Sequence, residues 1–565
     1  MIFPSPPVLQ EPAPDPDAAV MLDQAHDLRE QKRWPEAVAI YTRMLDISKD
    51  HQLALFERAQ ILSWMKRFDE SIRDYKRYLA IYPDRAAATE PALAKVTAWS
   101  KRFQEAVRIL VPYVRRRDRS ATLDTATFLS WDGQLSKSLA MTEAWLKAQP
   151  SDRDFLVLQG RVQGWKGNHA QARRSYQDVL VQVPGDPDAL RGLAQLDLWA
   201  GNPEGAATRL ALLPSEDAQS PESELMQSQI DQRMGRLRQS RARAEALRGN
   251  LDVQEDVRSR IRDLTEAQGP WVELSQTRTD SNEGLRAQAQ RVDAAVPLRD
   301  GSLRVGGALY LLTQGGKPER RPQEWDLGFN HPLGSRLSVA AQAGRTDDVG
   351  GAPASSHTLS LNLRAAPGLN LSLYQSFAPV VATPKATDLR TSIRTWGLNG
   401  NWVFNQTLDT LGATLDRGFL SAGPSRNSLR LEGTHRFPLE GGEVRLGLAS
   451  RLIDQDETLN LGFFNPQRYR YYGATAGATR RREERWELAL DAWAGHQTVN
   501  QSAGQFSWGY TLSGTWTPVG SSAAMFASWS QSVAGLPISD STAPTNYRDH
   551  TLRFGVRIRG NRWPW

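Results

Sequence analysis

The chain has 565 residues, a formal net charge of +6 and no cysteine. Disulfides, thiol catalysis and cysteine metal sites are therefore excluded, as is a lipid anchor on an N-terminal cysteine of the chain as it stands, and the mild charge gives no reason to invoke nucleic acid. No apolar run approaches the roughly 20 residues of a transmembrane helix and mean hydropathy is −0.51, but a transmembrane barrel escapes both tests because only alternate strand residues meet lipid.

Residues 1–17 are rich in proline and lack the basic-then-apolar order of a signal peptide. An extended leader is expected there.

From residue 18 a period takes over. Trp64, Trp99, Trp131, Trp165 and Trp199 recur in similar surroundings at spacings of 35, 32, 34 and 34. A second signature follows about four residues later, at Trp34, Phe68, Phe103, His169 and Pro203, with small residues at Ala37, Ala106 and Ala172. A 34-residue period with a small residue at a fixed place is the tetratricopeptide pattern. Each unit is a helical hairpin, and stacked units bury a core that one hairpin cannot. About six units are expected over 18–215, then a further pair and a cap to about 266. The five tryptophans are expected in the core of the stack. The Arg-rich stretch from Arg233 to Arg248 reads as a solvated helix face.

At Gly269-Pro270 helical periodicity gives way to period two, the signature of strands. Sixteen strands are predicted, beginning near Trp271, Leu285, Leu303, Trp325, Leu337, Leu359, Leu369, Leu389, Leu408, Leu429, Val444, Tyr469, Trp486, Phe506, Ala524 and Thr551. Connections alternate in length. PLRDG, PLGS, APG, NQ, PLEGGE, REE and PVGSS are short; GGKPERRPQ, TDDVGGAPASS, APVVATPKATD, LSAGPSRN, DQDETLNLGFFNPQR, QTVNQSAG and 534–549 are longer. Short turns on one rim and long loops on the other describe an outer-membrane barrel.

One parity of most strands is apolar. Leu359, Leu361 and Leu363 are expected to face lipid, and Ser360, Asn362 and Arg364 the lumen. Trp325, Trp402, Trp486, Trp493, Trp516 and Trp529 lie near strand ends, as interfacial girdles need. Residues 271–565 hold 31 basic residues, 29 of them arginine, against 25 acidic. Arg286, Arg304, Asp326, Arg364, Arg430, Glu432, Arg445, Glu487, Asp491, Arg553 and Arg557 share the polar parity and are the candidate pore-lining set. They form either a path favouring a polar or anionic substrate or paired charges that stiffen the wall.

The predicted fold class is an α-helical tetratricopeptide solenoid over 18–266 followed by a 16-stranded antiparallel transmembrane β-barrel over 271–565. That order resembles the outer-membrane exporters of biofilm polysaccharides: the poly-N-acetylglucosamine export porin, the outer-membrane component of bacterial cellulose synthase, and smaller relatives with fewer repeats. GFFNPQRY, Gly462 to Tyr469, is similar to the aromatic-Pro-Arg-aromatic segment of their barrels. There Phe463, Phe464, Pro466, Arg468 and Tyr469 serve as a loop anchor or a sugar contact. The array is short beside most cellulose exporters, and the closing NRWPW carries Pro564 inside an aromatic-ended terminus.

The resemblance implies a barrel that conducts an exopolysaccharide across the outer membrane of a diderm bacterium, with periplasmic repeats that recruit a partner protein or the polymer. The implied partners are lipid, polysaccharide and a periplasmic protein, with no nucleic acid, cofactor or metal. The alternative is an outer-membrane scaffold with a closed barrel. An enzyme is not expected, because His331, His357, His435, His496 and His550 have no Ser and Asp companions in motif context.

Overall fold

The computed structural model describes residues 16–250, 253–404, 408–439, 441–482, 485–518, 521–533 and 547–560. The leader through residue 15, the NQ connection, the terminus 561–565 and most of 534–549 lie outside these. The chain divides into two compact units, Met1–Gly192 and Leu193–Trp565.

The first unit is a run of helical hairpins: Pro16–Glu30 with Trp34–Ile47, Gln52–Trp64 with Phe68–Ile81, Ala86–Trp99 with Phe103–Arg115, Arg119–Trp131 with Leu135–Ala148, and Arg153–Trp165 with His169–Gln182. The repeat signals act at the helix ends. From the second pair on, each first helix ends on its tryptophan, and two residues later the backbone turns left-handed, at Lys66, Lys101, Gly133 and Gly167. That conformation stops a helix and turns the chain back. The small position holds Ala37, Ser71, Ala106, Ser138 and Ala172, all with no exposed surface. Where it is serine, the hydroxyl donates to a carbonyl of the facing helix, Ser71 to Ala59 at 2.6 Å and Ser138 to Ala126 at 2.7 Å. Close approach is thus kept without orphaning a buried polar atom.

The tryptophans do not all fill the core. Trp131, Trp165 and Trp199 are 41%, 43% and 36% exposed, while Trp64 and Trp99 are half-buried. A helix-terminal position lies at the margin of the stack, where a ring can cover only its neighbour. Trp64 covers Trp34, Trp99 covers Phe68, and Trp131 covers Phe103, with ring centroids 6.0–6.4 Å apart. They form an aromatic row between units; the core belongs to Tyr41, Leu55, Ile61, Tyr78 and Phe155.

The second unit begins within the helix Pro187–Trp199, which turns into Pro203–Leu210. A further pair follows, Pro221–Arg233 with Leu237–Ala246, and Gln254–Gln268 ends the helical part. The same signals recur: left-handed Gly201 and Gly235, and fully buried Ala206 and Ser240. Arginines of the basic stretch are held by acids, Arg236 and Arg243 by buried Asp231 and Arg248 by Glu245.

Sixteen strands then follow: β1 (Trp271–Ser281), β2 (Arg286–Leu298), β3 (Gly301–Thr313), β4 (Gln323–Pro332), β5 (Leu337–Val349), β6 (Ala352–Ala366), β7 (Leu369–Pro379), β8 (Ser392–Phe404), β9 (Asp409–Leu420), β10 (Ser425–Leu439), β11 (Gly442–Gln455), β12 (Arg468–Arg482), β13 (Trp486–Val499), β14 (Gln505–Trp516), β15 (Ala523–Val533) and β16 (Arg548–Arg559). Each pairs antiparallel with its sequence neighbours, and β1 pairs with β16 from Trp271 opposite Arg559 to Ser281 opposite Asp549. The sheet is a closed barrel, with no free edge.

Two expected long loops are instead strand. TDDVGGAPASS is mostly the ends of β5 and β6 around a turn at left-handed Gly350 and Gly351. LSAGPSRN contracts to the turn 421–424. Among the described residues, the remaining connections expected to be long, 314–322, 380–391, 456–467 and QTVNQSAG, which shortens to 500–504, all leave the rim opposite the short turns.

Candidate functional site: the barrel wall and its mouth

Register assigns the faces. Along β6 exposure alternates: Leu359, Leu361 and Leu363 are exposed, and Ser360, Asn362 and Arg364 are shielded. Around the sheet Leu274, Leu309, Leu327, Leu373, Leu415, Leu448, Leu488 and Phe554 repeat this exposure. On the other face Glu273, Asp293 and Asp326 are only 4–6% exposed, while Glu432, Glu487 and Asp491 remain exposed. A sheet that exposes leucine and shelters carboxylate places its apolar side in lipid. A closed barrel with such a wall is an outer-membrane architecture. Trp325, Trp402, Trp486 and Trp529 lie on the apolar side, and Trp516 stacks on Trp486 at 5.6 Å. Trp493 faces inward instead, edge-on to Tyr471 at 5.7 Å, because it shares the parity of Asp491.

The inner face is organised in charge clusters. Arg291 binds Asp293 at 2.9 Å and also Asp326, Arg304 binds Asp293 at 2.7 Å, and Tyr310 donates to Glu324 at 2.8 Å. Across the closure, Arg553 and Arg557 share the carboxylate of Glu273 at 2.9 and 2.5 Å. Arg445 meets Asp491 at 2.7 Å, and Glu443 stands between Arg445 and Arg436 at 3.6 and 3.5 Å. Asp416 accepts from Tyr374, and from Ser428 at 2.7 Å.

The candidate pore-lining residues therefore do not form one ring. Arg304, Asp326, Arg445, Asp491, Arg553 and Arg557 belong to these clusters. Arg286 is not on the inner face: it shares the parity of Val292, which is 51% exposed and stands opposite exposed Leu274, so it lies on the outer side and pairs with Asp280 at the long-loop end. Glu487 pairs with Arg481 at the short-turn end. Glu432 lies over Gly412, and Arg430 stands opposite Arg451. Arg364 is committed to the short-turn rim, where it binds Glu204 at 2.8 Å and the Arg233 carbonyl at 3.1 Å.

That rim carries helices. Arg336 also approaches Glu204, at 3.3 Å, and the Arg238 amide donates to Asp300 at 2.9 Å. Glycine is required where the surfaces meet: at left-handed Gly201 and Gly235 a Cβ would stand 3.1 Å from Gly368 and 2.9 Å from Pro332. Burial works to raise the Glu204 carboxyl, but hydrogen bonds from its own amide, Ser335 and Arg336 and the charge of Arg364 hold it below its usual range. A polar cleft of about 480 Å³ lies between Gln232, Arg233 and Gly235 and the inward residues Asn362, Asn370, Asn399 and Asn401.

At the other end two long loops lock together. The helix Pro384–Asp388 of the β7–β8 loop packs Ala386 against Leu420, Leu461 and Phe463. Thr383 donates to the Gly462 carbonyl at 2.6 Å, and Lys385 to Asn460. Phe464 reaches the inner wall and meets Tyr469 edge-on at 5.9 Å, beside Ile453, Tyr471 and Val499. Pro466 is buried, Arg468 opens β12 in solvent, and the Tyr469 hydroxyl donates to Gln497 at 3.1 Å. The motif's aromatic rings are packed, as loop anchors are.

Sequence reasoning missed Arg291, Asp293, Asp416, Arg426, Glu443 and Arg451 as inward groups. Extending the parity of Arg430 along β10 and of Arg445 along β11 would have found Arg426, Glu443 and Arg451, whereas on β2 the parity of Arg286 leads to the wrong face.

Comparison with known proteins places two tetratricopeptide repeat family matches, at residues 53–85 and 166–230. The chain is similar to "Cellulose synthase operon protein C" of Escherichia coli K12, 27% identical over 212 residues, which cover 35% of this chain and 18% of that protein. The "Putative cellulose synthase operon protein C" of Escherichia coli O157:H7 is 25% identical over 217 residues, with the same coverage. The chain thus spans under a fifth of the length of these relatives. Among solved structures, a "Bacterial polysaccharide outer membrane secretin" aligns with TM-score 0.43 and 14% identity over 52% of this chain and 99% of its own. A tetratricopeptide repeat protein from Parabacteroides merdae aligns with TM-score 0.36 and 11% identity over 43% of this chain and 97% of its own.

Proposed function

We propose that the chain exports an exopolysaccharide across the outer membrane through the barrel 271–565, while the repeats 18–266 stand in the periplasm and recruit a partner protein or the polymer. The observation that carries this reading is the inner wall. A barrel of sixteen strands has room for an aqueous channel, and this one is lined by Ser, Thr, Asn, Gln and Tyr together with clusters of charge on some of its strands. Such a surface offers many weak hydrogen bonds to a hydroxyl-rich chain, so that binding does not become trapping. The similarity of the chain to cellulose synthase operon protein C supports the same reading. Deletion of the chain's gene in its host should abolish surface polysaccharide while the polymer accumulates in the periplasm. Unchanged surface polymer would refute it.

The second reading, a closed barrel that anchors a periplasmic scaffold, draws on the locked loops at the mouth. Planar-bilayer conductance separates the two. A scaffold stays silent when 380–391 is replaced by a short turn, whereas a conduit widens.

A further inference from the structure

The outer end of the inner wall holds three arginines that make no ion pair with a carboxylate among the described residues. Arg426 and Arg430 of β10 and Arg451 of β11 share the inward parity, and Arg430 stands directly opposite Arg451. Like charges paired across strands repel. Elsewhere this wall resolves the same conflict: Arg436 stands opposite Arg445, and Glu443 sits between them. Arg553 and Arg557 share Glu273, and Arg291 and Arg304 share Asp293. Among the described residues none of the three outer arginines makes an ion pair. Asp416 is within electrostatic reach of Arg426 and Arg451, but it accepts from Tyr374 on one oxygen and Ser428 on the other. Glu432, one inward step along β10, lies over Gly412.

A second observation coincides with the first. Polar atoms without partners cluster beside these arginines: the Tyr471 hydroxyl, Gln455 Oε1 and Gln497 Nε2. Tyr471 stands opposite Arg451, Gln455 opposite Arg426, and Gln497 opposite Tyr471. Gln455 and Gln497 are 5% and 1% exposed. Unpaired buried polar atoms are costly and rare. Together they present guanidiniums, a phenol and amides on four adjacent strands, β10 to β13, next to the rings of Tyr471 and Trp493.

We infer that Arg426, Arg430 and Arg451 form an anion-binding station in the outer lumen for acidic sugar residues. The guanidinium forks suit a planar carboxylate, the amides and phenol suit hydroxyls, and the rings supply an apolar face. The exported polymer is then one that carries negative charge on its sugars, as a carboxylate or as an acid ester. This rests on the export reading.

The test is calorimetric titration of the detergent-solubilised full chain with tetragalacturonate, a sulfated cellotetraose and cellotetraose. The wild type should bind an acidic tetramer, with cellotetraose at least tenfold weaker. Preference between the two acidic probes identifies the anion. R426Q/R430Q/R451Q should weaken acidic binding at least tenfold. R451E, which offers Arg430 a partner, should do the same with the barrel intact. R417Q, on the lipid-facing parity of β9, should leave binding unchanged. Equal binding of the neutral tetramer, or acidic binding that survives both lumen variants, overturns the station. Bilayer conductance of the same samples reports on the export reading separately: a conducting barrel without acid preference overturns only the station.

Discussion

Tyr176 shows how one side chain fixes several neighbours. Its ring is buried, which pushes the phenol up to about 12, and it lies over two glycines. A Cβ on Gly192 would stand 2.3 Å from the ring and one on Gly160 2.8 Å. Gly192→Ala should therefore displace the ring and destabilise the helical unit by about 1–3 kcal/mol, the cost of overpacking. Thermal unfolding followed at 222 nm on the full chain measures this, and adding Tyr176→Leu should recover most of the loss. Lys66 and Lys101 make the opposite case, since they hold left-handed backbone where later units carry glycine. Changing Lys66 to Gly should raise the unfolding temperature, because the relief of about 1–2 kcal/mol at a left-handed residue exceeds glycine's entropic penalty of roughly 0.5–1 kcal/mol. Loss of stability would mean that the lysine side chain carries an unseen share. At this scale legibility was uneven. The repeat tryptophans were plain in sequence, but their exposure was not, because a helix-terminal place can be inferred only once the helix boundary is known.

At the scale of elements the strands were the most legible part, since alternation marks each one. β6 begins at Ala352 rather than near Leu359 because Ala-Pro-Ala-Ser-Ser carries no apolar alternation. What period two cannot show is which strands meet across the closure: Glu273 and Arg553 are far apart in sequence and paired only by the join of β1 to β16. The facing of β6 is tested by paired arginine substitutions. Leu361→Arg should cost roughly 2–4 kcal/mol near the bilayer midplane and lower folding yield, whereas Asn362→Arg should fold. Equal yields would reverse the faces.

The latch between the helix Pro203–Leu210 and the rim is tested by pH. The folded Glu204 carboxyl lies below its usual range, so its contribution is complete above the unfolded value of about 4.3 and is lost as pH falls through the folded value. Amide protection in Pro203–Leu210, taken relative to the intrinsic exchange rate at each pH, should be high at pH 7 and should fall below pH 4 more than elsewhere in the helical region. Glu204→Gln should remove that difference.

For the whole molecule, the tetratricopeptide array and the sixteen-strand barrel follow from two periods, 34 and two, that any reader of the sequence can count. The division of labour on the inner wall does not. It depends on which arginine faces which carboxylate, and Arg430, unmarked among eleven candidates in the sequence, differs from Arg304, Arg553 and Arg557 only because its cross-strand neighbour is another arginine. The locked loops were hidden for the same reason, since Thr383 and Gly462 share no local pattern.

The absence of cysteine makes the most direct test clean. Ser360→Cys on the inner face and Leu359→Cys on the lipid face are each reconstituted in planar bilayers and exposed to a charged, water-soluble thiol reagent. A polar conduit enclosed by an apolar wall predicts that current through Ser360→Cys falls on modification while Leu359→Cys does not respond. A response from Leu359→Cys alone, or conductance that neither site alters, would contradict it.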